Sequence, residues 1–508
     1  MNNKIIKAIN MLFDKKLIAF STISIAIITI YANTIYHPFI WDDLEIIVNN
    51  TFIKDIRNIA AIFTHSVFGE KWTALSFYRP IQSASYILDY YLWGMNPQGF
   101  HLTSISIHIL NSYIVYLLLI QFKFKRILGL LITLLYCLHP IHIENISYLS
   151  GRGDLLYSLC AFSIMLIITK ASTNKWNPLW ITLLFITGLL CKENIIGLPI
   201  IALIYHYFIK TPYLKTLLFN TVIYGGYACV RIMYPVSKKS LSYIAEASIL
   251  ERLYTLPYII IEYLKLLIFP YPLHMEYHTV IKSIINPYSG LFVVLLISLV
   301  LLIKKSSNRA WMIIGLSWFI FGLAPVTHII IPLASTLREH WLSFAGFGII
   351  IIYTFLIQCY FEKYKRIILP LLLIQIILLS LTTLHRNSFW GNEEKLYKND
   401  LIHEPKSFVM LNNLGVYYYK KKQYDKALEY FLISIQQSPN QSYDMALNNA
   451  GVIFEYQKKP QLAEDHYIKS IQYGQLDLAY KNLLRLYKNT NQAQKHEQLQ
   501  LLINKNYL

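Results

Sequence analysis

Two adjacent carboxylates, Asp42 and Asp43, follow the first apolar stretch in the run His37-Pro38-Phe39-Ile40-Trp41-Asp42-Asp43. A carboxylate at a membrane face is not needed for folding, and it can take the proton of an attacking hydroxyl. Neighbouring residues on an extended segment point opposite ways. On that reading one aspartate faces a substrate while the other holds a loop, a metal or a backbone amide. Further on come Phe77-Tyr78-Arg79-Pro80 and His139-Pro140-Ile141-His142-Ile143-Glu144, which runs on to Ser150-Gly151-Arg152-Gly153-Asp154. Lys192-Glu193-Asn194, Arg231, His274 with Glu276, and Arg338-Glu339-His340-Trp341 complete the set. These supply carboxylates for proton transfer and cations for an anionic group. The spacing of His139, His142 and Glu144 permits a metal, but hydrogen-bonding residues in a folded loop would look the same. Lys192 beside Glu193 reads equally well as an ion pair. Ionisable residues at membrane depth are costly, and by default they mark functional sites.

Such residues need elements to position them. Of the 508 residues, 55% are hydrophobic and only 15% charged, against about 25% charged in ordinary soluble domains. That excludes a water-soluble enzyme, a disordered tail protein and a disulfide-rich secreted scaffold. The five cysteines, Cys137, Cys160, Cys191, Cys229 and Cys359, lie in or beside apolar runs without a CxxC pair. Apolar windows long enough for spans recur near 17–33, 101–120, 127–140, 154–169, 178–191, 195–209, 217–234, 288–303, 310–327, 343–360 and 366–383, about eleven in all. The stretch 251–270 carries Glu262, Lys265, Pro257 and Pro270, and reads as interfacial or re-entrant. Basic residues cluster around Lys15, Lys125, Lys170, Lys210, Lys304 and Lys363. With 251–270 not crossing, the positive-inside rule puts these clusters and the N-terminus in the cytoplasm, and the C-terminal region on the far side. The first segment reads as a retained anchor rather than a cleaved signal. The net charge of +18 belongs mostly to those clusters, so it points to membrane topology and not to nucleic acid.

From about residue 405 the composition turns polar and helical. Asn413-Leu414-Gly415 is followed by Ala427 and Pro439, Asn449-Ala450-Gly451 by Ala463, and Asn482-Leu483-Leu484 opens a weaker third copy. The asparagine spacings of 36 and 33 bracket the 34-residue tetratricopeptide period. The expected fold is therefore all-α, with a polytopic helical domain over 1–384, including a first outer loop over about 34–100. A linker at 385–404 and about three repeats over 405–508 follow. The repeats offer a groove for a peptide or partner protein, or serve only to cap the membrane domain.

At Trp41-Asp42-Asp43, Tyr78-Arg79-Pro80, His139 through Asp154, Lys192-Glu193-Asn194, Phe269-Pro270 and Arg386-Asn387 with Trp390, the chain resembles the transmembrane and tetratricopeptide-repeat containing O-mannosyltransferases and their bacterial relatives. These belong to the GT-C glycosyltransferase superfamily. His139 through Asp154 is the most specific part. The resemblance implies a membrane glycosyltransferase that moves mannose or another hexose from a polyprenyl- or dolichyl-phosphate donor to an extracytoplasmic acceptor, with Asp42 and Asp43 catalytic. Arg79, His139, His142, Glu144, Arg152, Asp154, Lys192, Glu193, Arg231, Arg338 and Glu339 are the candidates around donor phosphate and sugar, with Arg152 and Lys192 favoured as phosphate donors. A divalent cation, Mg or Mn, is compatible with the family and would sit on Asp42 or Asp43. The chain departs from its relatives at Glu339-His340-Trp341, where they tend to have arginine in second place. The phosphate contact of that arginine is then lost, or supplied by Arg338.

Two other readings stay open on sequence: a lipid-linked sugar transporter or flippase, and a non-catalytic scaffold for envelope assembly. The charges lie at one membrane face rather than the midplane, and no two-half symmetry is visible, which favours an enzyme. The Ile/Lys/Asn-rich composition suggests a bacterial inner membrane with a periplasmic site and repeats. The alternative is an endoplasmic-reticulum membrane with lumenal repeats.

Overall fold

A helix occupies each of the eleven apolar stretches, because a chain in a bilayer has only itself to satisfy its backbone polar groups. The structure, a computed structural model, describes residues 3–69, 77–172, 174–233, 241–306, 308–329, 331–474 and 477–506. Among the described residues, six helical stretches are long and apolar enough to cross a membrane, or seven if the bent pair Arg126–Cys137 and Pro140–Ser147 forms one span. The chain is accordingly a membrane protein. Asn177–Cys191 and Glu193–Ile209 are apolar but shorter. The ambiguous stretch is a helix, Ile249–Ile268, opened by a Ser248/Glu251 capping box.

The last two expected spans form one helical stretch, Leu342–Asn387, broken at Tyr364 (φ −119°, ψ 21°). It turns back on itself there. The Tyr353 hydroxyl donates to Gln375 at 2.9 Å, whereas a straight helix would hold residues 22 apart about 33 Å from each other. Ser343 on one arm accepts from Tyr136, and Thr383 on the other donates to the carbonyl of Leu138. Both arms thereby meet the end of Arg126–Cys137. Where they do, Phe162, Trp318, Phe344 and Phe347 pack with ring centroids 5.1–6.0 Å apart.

The long loop after the first span is tied down from within. Gln82 and Tyr86 on the helix Pro80–Trp93 donate to the carbonyls of Ser150 and Leu149 at 2.9 and 2.7 Å. Residues 385–404 are no loose linker. They include the helix Glu393–His403 with Leu396, Tyr397 and Asp400 buried, and Arg386 pairs with Asp400 at 2.8 Å. Three helical hairpins follow: Phe408–Lys420 with Tyr424–Gln437, Asp444–Tyr456 with Pro460–Gly474, and Asp477–Asn489 with Ala493–Asn506. Glycine is required at two equivalent points. A Cβ on Gly415 would lie 2.5 Å from the Phe431 ring, and one on Gly451 would lie 2.6 Å from the Tyr467 ring. Asparagines zip the first helices together, Asn449 donating to Asn412 at 2.9 Å and Asn482 to Asn448 at 2.8 Å. Among the described residues there is no β-strand, only an isolated antiparallel bridge between Tyr277 and Leu337. That bridge brings Glu276 beside Arg338.

Candidate active site

The acidic pair divides its labour, though not through the extended backbone that the sequence suggests. Asp43 is already helical (φ −59°, ψ −30°), and Leu44–Val48 continues as a π turn. On a helix, successive side chains diverge by about 100°, and that separates the two carboxylates. Asp43 is fully buried. Its Oδ1 accepts from the Ser150 amide (2.8 Å) and hydroxyl (2.7 Å), and its Oδ2 accepts from the Ile40 amide (3.5 Å). It pins the first loop to the loop before Arg152. Asp42 is only half-buried, and its Oδ2 accepts from the Tyr148 hydroxyl at 2.5 Å. Its Oδ1 has no hydrogen-bond partner among the described residues.

Just before the pair, Trp41 holds a left-handed backbone (φ +50°), a conformation costing about 1–3 kcal/mol in a non-glycine residue. Packing keeps it there. The ring stacks on Tyr148 (5.6 Å between centroids, 21° between planes) and carries the Arg338 guanidinium 5.2 Å from its centre. Burial raises the Asp42 carboxyl above its ordinary range, offset in part by the Tyr148 hydrogen bond and the Arg338 charge. Burial likewise raises Asp43 to about 7 against the pull of Ser150. A carboxylate raised this way is a better proton acceptor at neutral pH.

From Arg338 a chain of polar and ionic contacts runs on through side chains of several segments. Arg338 lies 2.9 Å from Glu276 and 3.7 Å from Glu144. Nδ1 of His340 meets Glu144 at 2.7 Å, and its Nε2 lies 3.9 Å from Asp154. Asp154 pairs with Lys192 at 2.6 Å, and Arg79 grips the next residue, Glu193, through two nitrogens at 2.9 and 3.3 Å. Arg79, Glu144, Asp154, Lys192, Glu193 and Arg338, distant in sequence, are thus brought into one array. A lysine ammonium has three donors and a guanidinium five. Lys192, Arg79 and Arg338 each keep N–H groups that these pairs do not use.

Other candidates lie elsewhere. Arg152, favoured on sequence for a phosphate, is fully buried 2.5 Å from Asp89 and donates to Ser104, Ser85 and the Phe100 carbonyl. With its donors engaged it ties its own loop to the helices Pro80–Trp93 and Pro97–Gln121 instead of facing a ligand. His139 caps its own turn and meets the Leu267 carbonyl, and His142 meets Ser343. They therefore do not converge with Glu144 on a metal. Glu339 is buried against the Tyr277 hydroxyl (3.4 Å). Arg231 lies where the side chains are outside the described residues. No group of three or more His, Cys, Asp or Glu among the described residues is arranged to hold a metal ion. Asp43 has both oxygens engaged, so the donor set does not fit a cation bound by the pair.

Sequence reasoning did not single out Tyr148 or make His340 a link. Tyr148 has no charge and stands between more conspicuous polar residues, Glu144 and Arg152, and its partner is set by a fold contact 106 residues long. Tyr148→Phe is expected to slow turnover about 10-fold or more, the scale of one hydrogen bond to a charged group. It should also move the acid limb of the pH profile upward, because the bond favours the ionised Asp42. Turnover and its pH profile in the purified variant check both.

The tetratricopeptide-repeat family matches residues 410–441. Across most of the chain the similarity is to proteins named protein O-mannosyl-transferases. The TMTC3 protein of Homo sapiens is 22% identical over 88% of this chain, and the Tmtc3 protein of Drosophila melanogaster 21% identical over 90%. The Tmtc1 protein of Drosophila melanogaster is 28% identical over 33% of the chain. The chain spans 54%, 59% and 20% of these proteins respectively. No solved structure matches.

Proposed function

We propose that this chain is a membrane glycosyltransferase that moves mannose or another hexose from a polyprenyl- or dolichyl-phosphate to a Ser/Thr hydroxyl of a protein, on the extracytoplasmic side of the membrane. The observation that carries the reading is the division of the acidic pair. Asp43 is withdrawn into the loop, while Asp42 is held by Tyr148 beside Arg338 with one oxygen free. The names of the relatives support the same chemistry. The site would face the periplasm in a bacterial inner membrane, or the lumen in an endoplasmic-reticulum membrane, with the repeats on that side to receive the acceptor protein.

The acceptor oxygen attacks the anomeric carbon while the bond from that carbon to the phosphate oxygen breaks. The hydroxyl proton passes to the free oxygen of Asp42, and the electron pair leaves on the lipid phosphate. Cations must already be in place where that charge develops, and Arg338, Lys192 and Arg79 supply spare donors along the array. A single displacement inverts the anomeric carbon.

The purified chain in lipid, given a polyprenyl-phosphate mannose and a Ser/Thr peptide, should form a glycopeptide. Given nucleotide-activated mannose in place of the lipid donor, it should form none. Use of the nucleotide sugar alone would overturn the donor assignment. The pH dependence has a definite sign. Activity requires ionised Asp42, so kcat/KM should fall on acidification, with a midpoint above the ordinary aspartate value of about 3.9. Stability should run the other way. A raised carboxylate binds its proton more tightly in the folded state, so the Asp43 contribution is fully present below the ordinary range and lost as pH rises through about 7. Opposed trends in a rate profile and an unfolding profile check this.

A further inference from the structure

Glu276 lies between two domains. Its Oε1 holds Arg338 at 2.9 Å, and its Oε2 accepts from the hydroxyl of Ser407 at 3.0 Å. Ser407 is the N-cap of the first repeat helix, Phe408–Lys420, and also accepts from the Met410 amide. The segment around Glu276 is clamped from the same side at two further points. The Met275 amide donates to Asp400 at 2.8 Å, and the His278 amide donates to Glu404 at 3.2 Å. Phe408 stacks on His278 with centroids 5.6 Å apart, and the Tyr243 hydroxyl reaches the Gln437 carbonyl at the far end of the first repeat. From the opposite side the Tyr277 amide and carbonyl are bound to Ser335 and Thr336. The helix Glu393–His403 with Glu404, together with Ser407 and Phe408 at the base of the repeats, thus grips the strip of backbone that carries the partner of Arg338, and Arg338 lies on the Trp41 ring.

We infer that the first repeat is a fixed part of the transfer site, with Ser407 acting as a positioning residue that sets Arg338 through Glu276. This rests on the proposed function, because it assigns Arg338 to the donor phosphate. On this view the repeats do more than dock an acceptor. They complete the cationic side of the site, and a disturbance at their base is felt at the lipid phosphate.

The test uses the full-length protein, polyprenyl-phosphate mannose and a Ser/Thr peptide. Aspartate caps a helix about as well as serine, so Ser407→Asp keeps the repeat helix while setting a negative charge against Glu276. It is expected to raise the donor KM about 10-fold, the size of one charge-assisted hydrogen bond, with the peptide KM little changed. Ser407→Thr keeps both cap and hydroxyl and should behave as wild type. In a Glu276→Gln background the Ser407→Asp effect should shrink, because residues acting as a unit are not additive. An unchanged donor KM in Ser407→Asp, or a rise in the peptide KM alone, would overturn the inference and leave the repeats as a docking arm. A wild-type protein that transfers nothing from the lipid donor contradicts the function beneath it, a failure visible before any Ser407 variant is made.

Discussion

Asp42→Asn is expected to lower turnover by about 10²–10⁴-fold, the range for loss of a general base, while the protein folds and binds the lipid donor as before. The amide has the shape of the carboxylate, and its oxygen can still accept from the Tyr148 hydroxyl, which now bonds Oδ2 at 2.5 Å. What it cannot do is take a proton. Asp43→Asn should behave differently. Asp43 accepts from the Ser150 amide and hydroxyl and from the Ile40 amide, and an amide nitrogen in that place would set donor against donor. Its main effect should appear in the unfolding midpoint. Turnover and thermal unfolding of the two purified variants separate these outcomes. Full turnover in Asp42→Asn would remove Asp42 as the base.

Arg152→Met is expected to reduce stability by about 3–5 kcal/mol, the usual effect of removing one partner from a buried ion pair. Asp89 would keep its charge in a place with almost no exposure, and the Phe100 carbonyl and the Ser104 hydroxyl would lose their partner. Replacing Asp89 by Leu in the same chain should recover much of the loss, because the uncompensated charge is then gone. Thermal unfolding of the two variants against wild type measures both effects. A stable Arg152→Met protein whose donor KM alone is raised would return Arg152 to the phosphate, where the sequence suggested it.

The contrast between Arg152 and Asp42 shows where sequence reasoning stops. The apolar windows and the asparagine and glycine spacing of the repeats depend on local pattern, and each is legible. Even the hairpin at Tyr364 was foreseeable as two spans, although the chain stays helical through the turn. Whether an arginine is free or saturated depends on a partner far along the chain, here Asp89, and no local pattern reports that. The same holds for Tyr148 on Asp42, His340 between Glu144 and Asp154, and Ser407 on Glu276. Each joins segments that only the tertiary fold brings together. The 385–404 stretch looked like a linker because it is polar. Its helix, Glu393–His403, packs because Leu396, Tyr397 and Asp400 turn one side of it into the fold.

Single displacement at the sugar carbon has Asp42 taking a proton and never bonding to the sugar. Nuclear magnetic resonance of the glycopeptide formed from a donor of defined anomeric configuration tests it most directly. Single displacement gives the opposite configuration in the product. Retention would mean two successive displacements through a glycosyl-enzyme, with a carboxylate as nucleophile, and would contradict it.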